Sequence, residues 1–359
     1  MPAAEEATVK HAPLDVVSKG VLSVLSRLPE GVQRRIAGDL AVEHGTTVHP
    51  EVGMALRLLN AVPASSFETL PLEQARAQID AEAWVFGKRT EVGRVEDLSI
   101  PTPEGSVPAR RYDPREDGPG RAVLVYFHGG GFVLGGLESA DSVCRFLCAR
   151  ANITVLAVDY RLAPEHSFPA APDDALAAYR WAVQQAPGWG IGPDRVLLGG
   201  DSAGGNLTIV TAMRVRDARR AGEDLPAPMF QVAFFPVTDM AHESDSYERF
   251  ADGYFLTRDQ MRWYIARYLP DAADRTDPHA SPLLADDLGD LGPAYIGVSG
   301  FDPLREEGLA YGRRAQEAGN DVEVDLEPRH IHGYVNATGV GKTSVAALEK
   351  SVDAIRRRL

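Results

Sequence analysis

The stretch VLLGGDSAGGNL, residues 196–207, decides how this chain is read. Its first half is a short apolar run of strand character, and the residues after it continue as a helical pattern, GNLTIVTAMRVRDARRAG. Between the two, Gly200-Asp201-Ser202-Ala203-Gly204 fits G-x-S-x-G. A strand-to-helix turn that sharp crowds the backbone two residues before and two residues after the serine. Gly200 and Gly204 relieve the crowding, and Ser202 is presented at a helix N-terminus. The five-residue pattern alone recurs by chance in long chains. The strand before it and the helix after it separate a chemical turn from a merely structural one.

A serine hydroxyl is a weak nucleophile and needs a base, which in turn needs an orienting acid. On a strand–turn–helix serine the partners follow in the order Asp or Glu, then His. Asp302 stands just past the apolar run AYIGVSG, and His332 stands just past VEVDLEP. Both would emerge at strand C-terminal ends, on the same sheet edge as Ser202. Glu306 competes with Asp302, and His330 with His332; Gly333 favours His332 because it leaves the ring room in a tight loop. His11, His44 and His49 read as solvated surface residues.

A second glycine-rich stretch, AVLVYFHGGGFVLGG at residues 122–136, asks which anion its bare backbone is meant to meet. The spacing of Gly129, Gly131 and Gly135 does not give the G-x-G-x-x-G of a dinucleotide loop. GVGKTS, with Gly341, Lys342 and Thr343, has Asn336 where a phosphate-binding loop needs its first glycine, and no strand leads directly into it. The remaining candidate is the oxyanion of acyl transfer. Gly130 and Gly131 would offer N–H groups, with Ala203 as third donor, supported by His128 and Gly129.

Around these stretches, strand-like and helix-like runs alternate from residue 121 onward. Six apolar runs and a preceding antiparallel pair around a Pro/Gly turn at 95–114 predict an α/β protein with a mostly parallel sheet of about eight strands, flanked by helices. Two regions break the alternation: residues 1–95, which read as helical, and residues 239–285, which carry Tyr254, Phe255, Trp263, Tyr264 and Tyr268. Together they predict a helical lid over the C-terminal edge of the sheet. The expected division is an N-terminal helical lid segment at 1–95, a catalytic core at 96–238 and 286–359, and a lid insertion at 239–285.

The net charge of −14 disfavours nucleic acid and anionic membrane surfaces as partners. No run approaches the ~18 apolar residues of a membrane span. The first thirty residues hold Glu5, Glu6, Asp15 and Glu30 and do not read as a signal peptide, so a cytoplasmic location is expected. Cys144 and Cys148 lie one helical turn apart, too far for a disulfide. With no histidine or further cysteine nearby they are expected to be half-buried, reduced core thiols rather than metal ligands. No metal and no organic cofactor is expected.

Six segments in order carry a resemblance: HGGGF (128–132), DYRLAPEHSFPAAPDDA (159–175), GDSAGGN (200–206), ASPLLADDL (280–288), FDPLREEG (301–308) and HGY (332–334). Over roughly residues 95–340 the chain resembles the hormone-sensitive-lipase family of α/β-hydrolases, in its bacterial carboxylesterase branch. Tyr334 stands where the family commonly has phenylalanine. The resemblance implies the α/β-hydrolase fold, Ser202 as nucleophile, His332 as base, Asp302 as orienting acid, and Gly130, Gly131 and Ala203 as oxyanion donors. It also implies a lid made of the N-terminal helices and an insertion after the sixth strand. Arg161 and Glu165 in YRLAPE read as paired structural charges beside the glycine loop.

The expected activity is that of a serine carboxylesterase acting on short- to medium-chain acyl esters through an acyl-enzyme. The partner is a small-molecule ester; whether the chain forms a homodimer is left open. The alternatives are an amidase or deacetylase using the same residues, and a non-catalytic small-molecule receptor like the plant gibberellin receptors, which lack a working catalytic histidine.

Overall fold

The computed structural model describes residues 13–61, 66–115 and 121–359. The expectations placed on residues 1–12, His11, Glu5 and Glu6 among them, lie outside the described residues. The chain opens with helices α1 (Pro13–Leu25) and α2 (Glu30–Ala37), a small antiparallel ribbon of β1 (Val42–Glu43) and β2 (Thr46–Thr47), and helices α3 (Pro50–Ala61) and α4 (Leu72–Phe86). Then come strands β3 (Arg94–Thr102), β4 (Gly105–Asp113) and β5 (Val123–Phe127), helix α5 (Leu137–Ala151), β6 (Thr154–Val158), α6 (Ala170–Gln185), β7 (Val196–Asp201), α7 (Ala203–Arg220) and β8 (Gln231–Phe234). After the short helices α8 (Asp245–Arg249) and α9 (Arg258–Tyr268) follow β9 (Ala294–Phe301), α10 (Arg305–Glu317), β10 (Val322–Ile331) and α11 (Lys342–Arg356).

Strands β3 to β10 form one sheet in the order β10-β9-β8-β7-β5-β6-β4-β3. It is parallel from β6 through β5 to β10, and β4 runs antiparallel to both β3 and β6. The central strands are buried on both faces, which is why they read as unbroken apolar runs. Val123, Val125 and Phe127 of β5 point into the layer shared with α6 and α7, and Leu124 and Tyr126 into the layer shared with α5 and α11. The observed α/β-hydrolase sheet is the one expected, with strand ends drawn in; MFQVAFFPV contributes only its four central residues, because Phe235 leaves the sheet at φ +34°.

The two irregular regions meet. Phe67, just before α4, packs against Trp263 and Tyr264 of α9 at ring distances of 5.6 and 5.4 Å. Asn60 donates to the Gly253 carbonyl at 3.2 Å. Cys144 and Cys148 are free thiols as expected, but both are wholly buried rather than half-buried, since α5 packs into the buried cluster formed by the sheet and α11. Among the described residues no helix is long and apolar enough to cross a membrane.

Candidate active site

Four neighbouring strands end at one edge, and the residue after each end matters. Ser202 follows β7, Phe235 follows β8, Asp302 follows β9 and His332 follows β10. Ser202 adopts φ +55°, ψ −113°, a conformation costing ~1–3 kcal/mol for a non-glycine residue. Its backbone is held there: its N–H donates to the Phe234 carbonyl at 2.9 Å, and its carbonyl accepts from Asn206 and Val237. A Cβ at Gly204 would overlap the Phe127 carbonyl, and one at Gly200 would lie 2.5 Å from the same oxygen. The two glycines therefore clear the end of β5 as well as the turn itself.

His332 and Asp302 are joined by a 2.8 Å contact from Nδ1 to Oδ2. Asp302 is completely buried, and its other oxygen accepts the Leu304 N–H at 2.9 Å. The Phe235 ring packs on His332 at 4.5 Å, while Phe234 holds the backbone of Ser202. The β8 end thus bridges the serine turn to the histidine. Neither competitor reaches this corner. Glu306 accepts the Ser246 N–H and approaches Arg249. His330 is buried against Tyr334, and burial pushes it down to about 4.

The glycine loop lies beside the serine turn. Asp201 is buried, and its Oδ1 accepts both the Tyr126 hydroxyl at 2.7 Å and the Gly129 N–H at 3.1 Å. Burial raises its pKa; the Tyr126 hydrogen bond opposes that rise. His128 stacks on Tyr160 at 4.3 Å and contacts the Gly129 carbonyl through Nδ1 at 2.7 Å; burial holds the imidazole below its usual range, which suits a neutral ring donating from Nδ1. The Gly130 carbonyl accepts from Val133 and Leu134. Across a planar trans peptide the N–H lies opposite the C=O, so the N–H groups of Gly130 and Gly131 face away from those contacts. Gly131 takes φ +60°, and a Cβ there would fall into the Tyr264 ring. Ala203 is the first residue of α7, where the N–H has no intrahelical partner.

Several sequence expectations are revised. Arg161 and Glu165 do not pair with each other. Arg161 grips the buried Asp174 and also Glu104, whereas Glu165 pairs with Arg76 of α4. His49 is half-buried rather than solvated, with its Nδ1 accepting the Glu51 N–H at 3.2 Å; His44 is exposed as expected. At GVGKTS, Glu51 already fills the helix N-terminus, accepting the N–H groups of Lys342 and Thr343 at 3.0 Å and the Thr343 hydroxyl at 2.7 Å. A carboxylate from α3 occupies the place a phosphate would take.

Sequence reasoning missed Glu307 and Asn206. Glu307 is buried and accepts the N–H groups of Thr238 and Asp239 at 2.6 and 3.2 Å, fixing the chain just after β8; burial raises its carboxyl well above the usual range, and Asp302 adds to the rise. Asn206 donates to the carbonyls of Val237 and Ala280, tying α7 to both ends of the long stretch between β8 and β9. Both stand one turn into a helix, where spacing alone does not distinguish a tether from a surface polar residue.

This arrangement is shared with known proteins. A family model described as alpha/beta hydrolase fold matches residues 124–336. The chain is 39% identical over 350 residues to the carboxylic ester hydrolase LipN of Mycobacterium tuberculosis, covering 96% of this chain and 92% of that one. It is 36% identical over 322 residues to an ethyl acetate hydrolase of Pseudomonas putida, covering 87% of this chain and 100% of that one. Among solved structures, an ester-hydrolase from the metagenome of Lake Arreo, complexed with a bipyridine phosphonate derivative, superimposes with a TM-score of 0.81 at 36% identity, over 86% of this chain and 98% of that one. The chain belongs to the α/β-hydrolase family, in the bacterial carboxylesterase branch of the hormone-sensitive-lipase family. The match to LipN reaches into the N-terminal segment, beyond the residues that carry the sequence resemblance.

Proposed function

We propose that the chain is a serine carboxylesterase and that Ser202, His332 and Asp302 carry its chemistry. The observation that carries the reading is the 2.8 Å contact between His332 and Asp302 at the sheet edge where Ser202 is presented on its strained turn. Ser202 Oγ attacks the ester carbonyl carbon while His332 Nε2 takes its proton. The carbonyl π electrons move onto oxygen, and the N–H groups of Gly130, Gly131 and Ala203 receive that oxyanion. Collapse of the intermediate expels the alcohol, which takes the proton back from His332. Water, activated by the same imidazole, then cleaves the acyl-enzyme. Asp302 holds the ring tautomer and stabilises the imidazolium. Losing one oxyanion donor costs ~2.7–4 kcal/mol in the barrier.

The substrate is a short- to medium-chain ester. Residues 1–95 and 239–285 act as the lid, and aromatics of the second stretch press on the glycine loop: Tyr264 covers Gly131, and Tyr268 stacks on Phe132 at 3.8 Å. Each further buried CH₂ adds about 0.8 kcal/mol of binding until the pocket wall is met. The test is kcat/KM for p-nitrophenyl esters from acetate to palmitate beside matched anilides. Activity climbs over the first few carbons and then falls steeply, with esters above anilides. A preference for palmitate, or for anilides, would overturn this assignment.

A further inference from the structure

The two halves of the glycine loop are held by different parts of the molecule. The first half is tied to the core, where Asp201 accepts the Gly129 N–H at 3.1 Å. The second half is tied to the N-terminal segment. Arg76 of α4 donates from Nε to the Val133 carbonyl at 3.1 Å and from Nη2 to the Ala163 carbonyl at 3.2 Å. The same guanidinium forms a two-point contact with Glu165 at 2.9 and 2.8 Å. The Ala163 N–H in turn donates to the Phe132 carbonyl at 2.9 Å. One side chain thus joins α4, the glycine loop and the YRLAPE segment.

The geometry makes this more than a surface ion pair. Ala75, the residue before Arg76, is completely buried, so the helix that carries the guanidinium is fixed. Glu165 is half-exposed, and an exposed pair contributes little to stability. Its effect is to orient the planar fork so that the remaining N–H groups meet the two carbonyls. Charge-assisted hydrogen bonds to carbonyls are stronger than neutral ones, and a lysine ammonium cannot match four acceptors in one plane.

Resting on the esterase reading above, we infer that Arg76 is a positioning residue for the oxyanion donors. Through it the N-terminal segment sets where the N–H groups of Gly130 and Gly131 stand, so this segment contributes to turnover and not only to cover. A misplacement of about 1 Å at a reacting centre costs on the order of a hundredfold in rate.

The test pairs steady-state kinetics on a short-chain p-nitrophenyl ester with inhibition by a trifluoromethyl ketone. Ser202 Oγ adds to that ketone, and its carbonyl oxygen becomes the oxyanion. In Arg76→Ala, kcat falls about tenfold to a hundredfold with KM little changed. Inhibitor affinity falls by the same factor, and added guanidinium at millimolar concentration restores part of both. Arg76→Lys keeps the charge and the packing stem and decides the matter if the alanine variant does not fold: its kcat and inhibitor affinity fall together, because an ammonium does not reproduce the planar fork. Normal kcat and normal inhibitor affinity in Arg76→Lys would overturn the inference while leaving the esterase reading intact. A wild-type protein that hydrolyses no ester would instead overturn that reading.

Discussion

His332 Nδ1 and Asp302 Oδ2 stand 2.8 Å apart across 30 residues of sequence, each the first residue past the end of one of two neighbouring parallel strands. Asp302 is wholly buried and spends its second oxygen on the Leu304 N–H, so it cannot turn away from the imidazole without losing that bond. Asp302→Asn keeps the shape and removes the charge proposed to stabilise the imidazolium. Its kcat is expected to fall on the order of 10³–10⁴-fold with little change in KM, measured by initial rates beside a thermal melt. Activity close to that of wild type would mean that another buried carboxyl, such as Asp201 or Glu307, does this work.

His330 is expected to govern acid stability and not turnover. Burial pushes its imidazole down to about 4, whereas an unfolded histidine titrates near ~6.5. Between those values the unfolded chain binds a proton that the folded chain does not. Stability therefore drops as pH falls from about 6.5 to about 4, by on the order of 3 kcal/mol from this residue. His330→Leu should retain most esterase activity at neutral pH and flatten that part of the pH–Tm curve. Loss of activity comparable to that of His332→Ala would show that the two histidines have been assigned the wrong way round.

Asp80 of α4 is a liability at neutral pH. Burial raises its carboxyl to about 6, with Glu138 and Asp159 adding to the rise. A folded pKa raised above the unfolded value means a stabilising contribution present at low pH and lost as pH climbs from about 4 to about 6. Asp80→Asn is expected to melt higher than wild type at pH 7.5 and to lose that advantage near pH 4. A variant that melts lower at pH 7.5 would contradict this.

The sheet and the serine turn were legible because their causes are local. Continuous apolar runs mark strands buried on both faces, and Gly200 and Gly204 sit where a side chain would strike the end of β5. The histidine was less legible. Along most of their length β10 and β9 keep one register, with Glu327 beside Ser299; continued, it would set His330 beside Asp302. An irregularity between Glu327 and Ile331 advances the register by two residues, so Ile331 pairs with Phe301 and His332 takes the place instead. Gly300 permits the irregularity, since a Cβ there would strike the Pro328 backbone. Contacts between distant segments left still less trace. Arg76 meets Val133 and Glu51 caps α11 only because separate helices pack together, and a lone arginine or glutamate on a helix looks the same in sequence whether it tethers or is solvated.

Ser202 is the proposed nucleophile, and the rest of the chemistry depends on it. The direct measurement is mass spectrometry of the protein after reaction with a short-chain p-nitrophenyl phosphonate, followed by peptide mapping and a parallel assay of Ser202→Ala. One phosphonyl group per chain on Ser202, lost in Ser202→Ala together with nearly all ester hydrolysis while the melting temperature is kept, is the predicted result. Modification at a different residue, or a Ser202→Ala protein that turns over esters at the wild-type rate, would contradict it.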